Sequence, residues 1–184
     1  MQRELVERAA HGDQDAFTTL ATQNVDRCYA LAYRILRDAN GAQDATQQAL
    51  LSAWRDLSTL RDADRFDAWL HRIVVNACYV ESRSRRRWTA RVRLLSEDLP
   101  SNRDEATAVA HRDVLERAFR LLTPEHRAVV VLHHYLGYPL TEIAETLGIP
   151  EGTARSRLHH AVRQLRVALD TDAPSVATSQ ERPA

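Results

Sequence analysis

The chain has 184 residues, 44% of them hydrophobic, and its formal net charge is zero. That length holds one medium domain or two small ones, and no apolar run approaches the ~20 residues of a membrane span. Cys28 and Cys78 form no metal-spaced set, so a disulfide scaffold and a zinc module are set aside and a reduced, cytoplasmic setting is expected, with both thiols buried.

Zero net charge conceals a segregation. All 25 basic residues are arginine. Six lie between Ser82 and Ser96 with no acid among them, and four more, with His159 and His160, lie in the acid-free stretch from Gly152 to Leu169. The intervening Glu97–Glu116 is acidic. Two basic blocks separated by an acidic bridge point to nucleic acid more strongly than net charge does.

Scarce glycine and abundant Ala, Leu and Arg favour helix throughout. The predicted fold is all-α: two small helical domains joined by a flexible linker, the second containing a helix-turn-helix. A first helix is predicted over Gln2–Ala10, broken at His11-Gly12-Asp13. A second runs from about Asp15 to Arg37, with Phe17, Leu20, Val25, Tyr29, Ala32, Tyr33 and Leu36 at helical spacing. Asp38–Gly41 reads as a turn. A third helix spans about Ala42–Leu57, with Ala42, Ala45, Ala49, Ala53, Trp54 and Leu57 as its apolar stripe. Ser58–Arg65 reads as a polar loop. A fourth helix runs from Phe66 to about Trp88, with Phe66, Trp69, Leu70, Ile73, Ala77 and Val80 facing inward. The predicted domain limits are 1–94 and 108–169, with a linker at 95–107 and a disordered Pro/Ser/Thr-rich tail at 170–184.

The most specific motif lies between Leu140 and Leu169. Glu142–Leu147 reads as a short amphipathic helix, Gly148-Ile149-Pro150 as a tight turn, and Glu151 as the start of a longer helix, where its carboxylate suits the dipole. At 100° per residue, Ala154, Leu158, Ala161, Val162, Leu165 and Leu169 share one sector. Arg155, Ser156, His159, His160, Arg163 and Arg166 fall outside it. One face therefore packs and the other is basic, as a helix-turn-helix entering the major groove requires. The bland reading of the same residues is a helical hairpin with a solvated arginine face. His133-His134 and His159-His160 lack the spacing and partner carboxylate of a helical zinc site, so no metal and no cofactor are expected.

Leu122–Leu132, Gly137–Leu147 and Gly148–Leu158 resemble region 4 of the sigma-70 family, most nearly its extracytoplasmic-function (ECF) group. Asp44–Arg55 resembles region 2.2, Phe66–Asn76 region 2.3, and the arginines from Arg83 onward region 2.4. The resemblance implies an alternative sigma factor without an active site of its own. It implies that Asp44, Gln47, Gln48, Leu51 and Arg55 dock on core RNA polymerase, at the coiled coil of its β′ subunit, with a second contact to the β flap. It implies that Arg61, Arg65, Trp69, Arg72, Asn76, Arg83, Arg86 and Arg87 engage the −10 element. There the loop from Thr59 to Arg65 would capture a flipped base, and Arg85 would join the phosphate contacts. It implies that Thr153, Arg155, Ser156, Arg157, His159, His160 and Arg163 read the −35 element. The linker acids Glu97, Asp98, Asp104 and Glu105 would mimic nucleic acid in the polymerase channel. An anti-sigma factor is a further expected partner, and the location is cytoplasmic, with the nucleoid when in holoenzyme.

The chain departs from the family pattern at Val80, where aspartate is frequent, at Pro139, where Ser or Thr is usual, and in the recognition-helix histidines. Three other readings use the same residues: a stand-alone helix-turn-helix regulator, a histidine-dependent nuclease, and a helical adaptor.

Overall fold

The computed structural model describes residues 2–95 and 110–172, all of whose regular elements are helical. Four helices form the N-terminal unit: α1 (Gln2–Ala10), α2 (Gln14–Leu36), α3 (Ala39–Asp56) and α4 (Phe66–Leu95), with two 3₁₀ turns, Leu57–Thr59 and Ala63–Arg65, between α3 and α4. Four more form the C-terminal unit: α5 (Ala110–Leu121), α6 (Pro124–His134), α7 (Leu140–Leu147) and α8 (Glu151–Asp172).

Caps decide the boundaries. Asp13 accepts from the Ala16 N–H, Asp38 from the Gly41 N–H, and Thr123 from the His126 N–H, each supplying an acceptor to an orphan donor. Asp38 therefore starts α3 at Ala39, three residues before the predicted Ala42. The turn ahead of it is only Arg37-Asp38, with Arg37 in the left-handed region at φ 57°, donating its N–H to the Tyr33 carbonyl. The predicted polar loop is partly 3₁₀, because the Asp62 side chain accepts from the Asp64 N–H. α4 continues past Trp88 to Leu95. Apart from Leu95, the predicted linker with its four acids lies outside the described residues. So does most of the predicted tail, except that 170–172 continue α8.

The apolar stripe of α3 stands as predicted, whereas those of α2 and α4 are rotated. In α2 the buried residues are Ala16, Leu20, Asn24, Cys28, Leu31, Ala32 and Ile35, while Val25, Tyr29 and Tyr33 are more than a third exposed. Asn24 is tolerated because its amide donates to the Leu20 carbonyl at 2.8 Å. In α3 the small residues Ala42, Ala45, Ala49 and Ala53 meet α2 and α4 closely. Trp54 lies at the edge against Phe17, ring centroids 4.7 Å apart. In α4 the buried row is Phe66, Leu70, Val74, Val75 and Cys78. Val80 is 66% exposed, because at 100° per residue it lies about 120° from the middle of that row.

α6 is the hub. Its run Arg127–Leu132 is buried on every side. Ala128 and Val131 join the core of the N-terminal unit. Val129 and Leu132 join Ile143, Ala144 and Ala154 of the helix-turn-helix. Val130 packs with Leu122 and Ala161. Three adjacent valines are mediocre helix formers, and burial overrides that weak preference.

Candidate nucleic-acid interface

α7 and α8 are joined through Gly148, whose φ of 64° caps α7 in the left-handed conformation, with its N–H received by the last carbonyls of that helix. Ala154 and Ala161 are fully buried on the packing side of α8, flanked by the half-buried Leu158, Val162 and Leu165. Leu169, predicted to pack, is 37% exposed, near the end of the helix. Arg155, Ser156, His159, His160 and Arg163 stand exposed on the opposite side. Thr153 and Arg157 are half-buried, and Arg157 is turned toward the flank, near Tyr79 of α4. Arg155 reaches back to Glu151 at 2.6 Å. His160 stacks near His126 of α6, centroids 6.4 Å apart.

The residues assigned to the −10 element fall into three places. Arg65, Trp69 and Arg72, together with Leu60, Glu145 and Thr146, surround a cavity of about 240 Å³. One wall is therefore α7 of the C-terminal unit. Arg65 is ion-paired to Glu145 at 2.7 Å, and Trp69 is half-buried with its ring 6.0 Å from that of Phe66. Arg61 is exposed in the loop nearby. Asn76 is exposed and shares a groove of about 330 Å³ with Gln48 and Asp44 of α3. Arg83 and Arg87 line an outer groove with Trp88, which is 68% exposed, whereas Arg85 and Arg86 face a different cavity beside α6. The arginine block thus has two faces, and sequence reading treated it as one.

The residues assigned to polymerase docking share the outer face of α3. Asp44, Gln47, Gln48, Leu51 and Arg55 are all exposed, Leu51 at 49%. An exposed leucine ringed by polar groups suits a protein interface.

Sequence reading missed the contacts that close one unit on the other. His71 of α4 is buried, and its Nδ1 shares a 2.8 Å hydrogen bond with the Tyr138 hydroxyl. Burial holds that imidazole below its ordinary value, with Asp67 opposing and Arg27 assisting. The Arg34 guanidinium lies 3.8 Å from the centroid of the Tyr135 ring. Arg37 is ion-paired with Glu116 of α5. Arg127 is 8% exposed, and its Nε has no hydrogen-bond partner among the described residues. The one available signal was a histidine and an arginine placed within apolar rows. Cys28 and Cys78 are buried, and burial pushes their thiols up to about 11 and about 12, away from reactive thiolate.

Residues 20–88 match the family described as Sigma-70 region 2, and residues 112–165 match Sigma-70, region 4. Two helical units matching those regions in that order define a sigma-70-type transcription factor. The chain is 35% identical over 180 residues to the ECF RNA polymerase sigma factor SigE of Mycolicibacterium smegmatis, covering 92% of this chain and 69% of that protein. It is 35% identical over 167 residues to the ECF sigma factor SigL of Mycobacterium tuberculosis, covering 89% of this chain and 94% of that one. Among solved structures it is similar to CnrH in complex with the cytosolic domain of CnrY, with a TM-score of 0.63 and 27% identity, over 94% of this chain and 99% of that one. The fold is shared with the sigma factor RpoE of Bartonella quintana, in complex with the anti-sigma factor NepR, with a TM-score of 0.66 and 21% identity, over 85% and 98% of the two chains. The chain belongs to the ECF RNA polymerase sigma factors and directs transcription initiation as one of them.

Proposed function

We propose that the two units divide promoter recognition as follows. The outer face of α3, centred on Leu51 with Asp44, Gln47, Gln48 and Arg55, docks on the β′ coiled coil of core polymerase. The C-terminal unit contacts the β flap. The exposed side of α8 reads the −35 element: Arg155 and Arg163 supply bidentate donors for guanine, and Ser156, His159 and His160 contact bases or phosphates. Thr153 and Arg157 serve from the flank. Arg61, Arg65, Trp69, Arg72 and Asn76 hold the opened −10 strand, and Arg83, Arg86 and Arg87 hold phosphates. The protein contributes no catalytic group to the reaction. It works in the cytoplasm, on the nucleoid when in holoenzyme, and an anti-sigma factor is its expected regulator, as NepR and CnrY are partners of the similar chains.

The observation that carries this reading is the acid-free exposed side of α8, set in a helix-turn-helix at the region 4 position. A consequence concerns the −10 surface. The two promoter elements lie about 25 base pairs apart, or about 85 Å of duplex, whereas Glu145 of α7 touches Arg65 at 2.7 Å. The described arrangement is thus a closed one, and the units must separate to engage both elements.

The test is run-off transcription from genomic fragments with core polymerase, with and without the protein. New start sites sharing two spaced upstream motifs are expected. Sequence-specific duplex binding by the protein alone, with no new transcripts from a competent core preparation, would favour a stand-alone regulator instead.

A further inference from the structure

Among the described residues, the junction between the units gathers positive charge that the neighbouring carboxylates do not balance. A cavity of about 440 Å³ lies where the α2–α3 corner, α4 and α6 meet, lined among others by Asp38, Ser82, Arg85, Arg86, Thr89 and Arg127. Asp38 is already committed, accepting from the Gly41 N–H and pairing with Arg85. The opposing charges of Asp38 and Arg85 cancel, which leaves Arg86 and Arg127. Arg127 is the unusual one: more than nine-tenths buried, with no partner for its Nε among the described residues. Burial first, then repulsion from Arg37 and Arg86, brings its guanidinium down to about 10, with Glu125 opposing too weakly to restore it. An uncompensated buried charge is expensive unless a counter-charge is bound. Ser82 and Thr89 add hydroxyls to the same wall.

We propose that this cavity binds a small phosphate anion, free phosphate or a short phosphoanhydride, and is complete only while α6 lies against α4. A guanidinium fork matches phosphate geometry, and the several oxygens of such an anion can accept from both arginines and both hydroxyls at once. A monatomic anion cannot. The volume lies in the range of small-ligand sites. Arg86 comes from the N-terminal unit and Arg127 from the C-terminal one, so the bound anion ties the units together, and closure strengthens as its concentration rises.

The test is calorimetric titration of the full chain with inorganic pyrophosphate, and separately with inorganic phosphate, in chloride buffer at fixed ionic strength. Thermal unfolding is followed in parallel. One-site saturation with a rising melting temperature is expected, weakened roughly tenfold or more in Arg127→Gln and in Arg86→Gln. Arg91→Gln, exposed on α4 away from the cavity, should bind like the unaltered chain. Arg86 is exposed, so its substitution leaves folding intact even if Arg127→Gln alters it. Failure of both anions to bind, or equal binding by all three variants, would overturn the proposal. A third titration uses duplex DNA of arbitrary sequence. If Arg127→Gln weakens the duplex while neither free anion binds, the phosphate belongs to a DNA backbone and the closed-junction site is wrong.

Discussion

Removing the Tyr138 hydroxyl should shift the two units toward the open state without disturbing either. Its oxygen lies 2.8 Å from His71 Nδ1, and the two rings are 5.8 Å apart at 52°. Tyr138→Phe keeps the ring and deletes only the hydrogen bond. His71 is 6% exposed, so its nitrogen would be left unpartnered out of water's reach. Leaving one buried group unsatisfied costs about 1–3 kcal/mol. That is about a 5- to 150-fold shift of the closed–open equilibrium toward open. The open state itself loses nothing, because there both groups meet water. Energy transfer between dyes on Gln23→Cys of α2 and Gln164→Cys of α8, both exposed positions, reports the separation. The native cysteines stay silent, since their buried thiols sit near 11 and 12 and react poorly at neutral pH. Transfer should fall in Tyr138→Phe while helicity and the N-terminal core are unchanged. Identical transfer in the two proteins would refute the claim that this bond holds the units closed.

Closure should also weaken in acid. His71 is held below the ordinary 6.5 in the closed state by burial, against the pull of Asp67 and with help from Arg27, and it faces the neutral Tyr138 hydroxyl. The open state therefore binds more protons, so closure is strongest above about pH 6.5 and declines as pH falls below it; the same dye pair, compared between about pH 7.5 and 5.5, should lose this trend in His71→Gln. Arg155→Ala and Arg163→Ala should each reduce preference for the native −35 sequence by roughly 1–3 kcal/mol, measured by transcription from altered promoters, and unchanged preference would remove them from base readout. Ile35→Ala, fully buried, should cost about 2–5 kcal/mol in urea unfolding. Leu51→Ala, half exposed, should stay within about 0.5 kcal/mol in the same assay and instead weaken core-polymerase binding in a pull-down.

What was readable from the chain was governed by local rules. Gly148 with Pro150, and the sector of α8 holding Ala154 and Ala161, follow from backbone freedom and helical period, and both stand where expected. The exposed row Arg155, Ser156, His159, His160 and Arg163 follows from the same period. The face of a long helix is less readable. α2 has 23 residues and apolar side chains on two rows, and its partners α1, α3, α4 and α6 choose Cys28, Leu31 and Ile35 over Val25, Tyr29 and Tyr33. The junction was hardly readable, its one signal being His71 and Arg127 within apolar rows. His71 and Tyr138 are 67 positions apart, Arg65 and Glu145 are 80, and no local pattern encodes such pairs. Arg127 looked like one more arginine, because its burial depends on α4 and the α2–α3 corner lying across α6.

The composition of the junction bears on the order of events at the promoter. Its middle is apolar: Ala128 and Val131 are inserted into the core of the N-terminal unit, and Leu136 and Leu147 pack against it. Its edge is polar, made of Arg65–Glu145, Arg37–Glu116 and the Arg34–Tyr135 contact. The exposed Arg65–Glu145 pair adds little. Exposing Val131 alone costs about 1.5–3 kcal/mol, so closure does not lapse unaided. A partner must prefer the open state by more than that cost. On the proposed assignment, the docking face of α3 stays exposed in the closed state, whereas Arg65, Trp69 and Arg72 lie against α7. Polymerase can therefore make its first contact through α3 before the units part. On the same assignment, DNA cannot close on Arg65, Trp69 and Arg72 until they have. Docking first and opening second is the order this geometry permits, with the energy for opening drawn from polymerase contacts formed before promoter DNA is read.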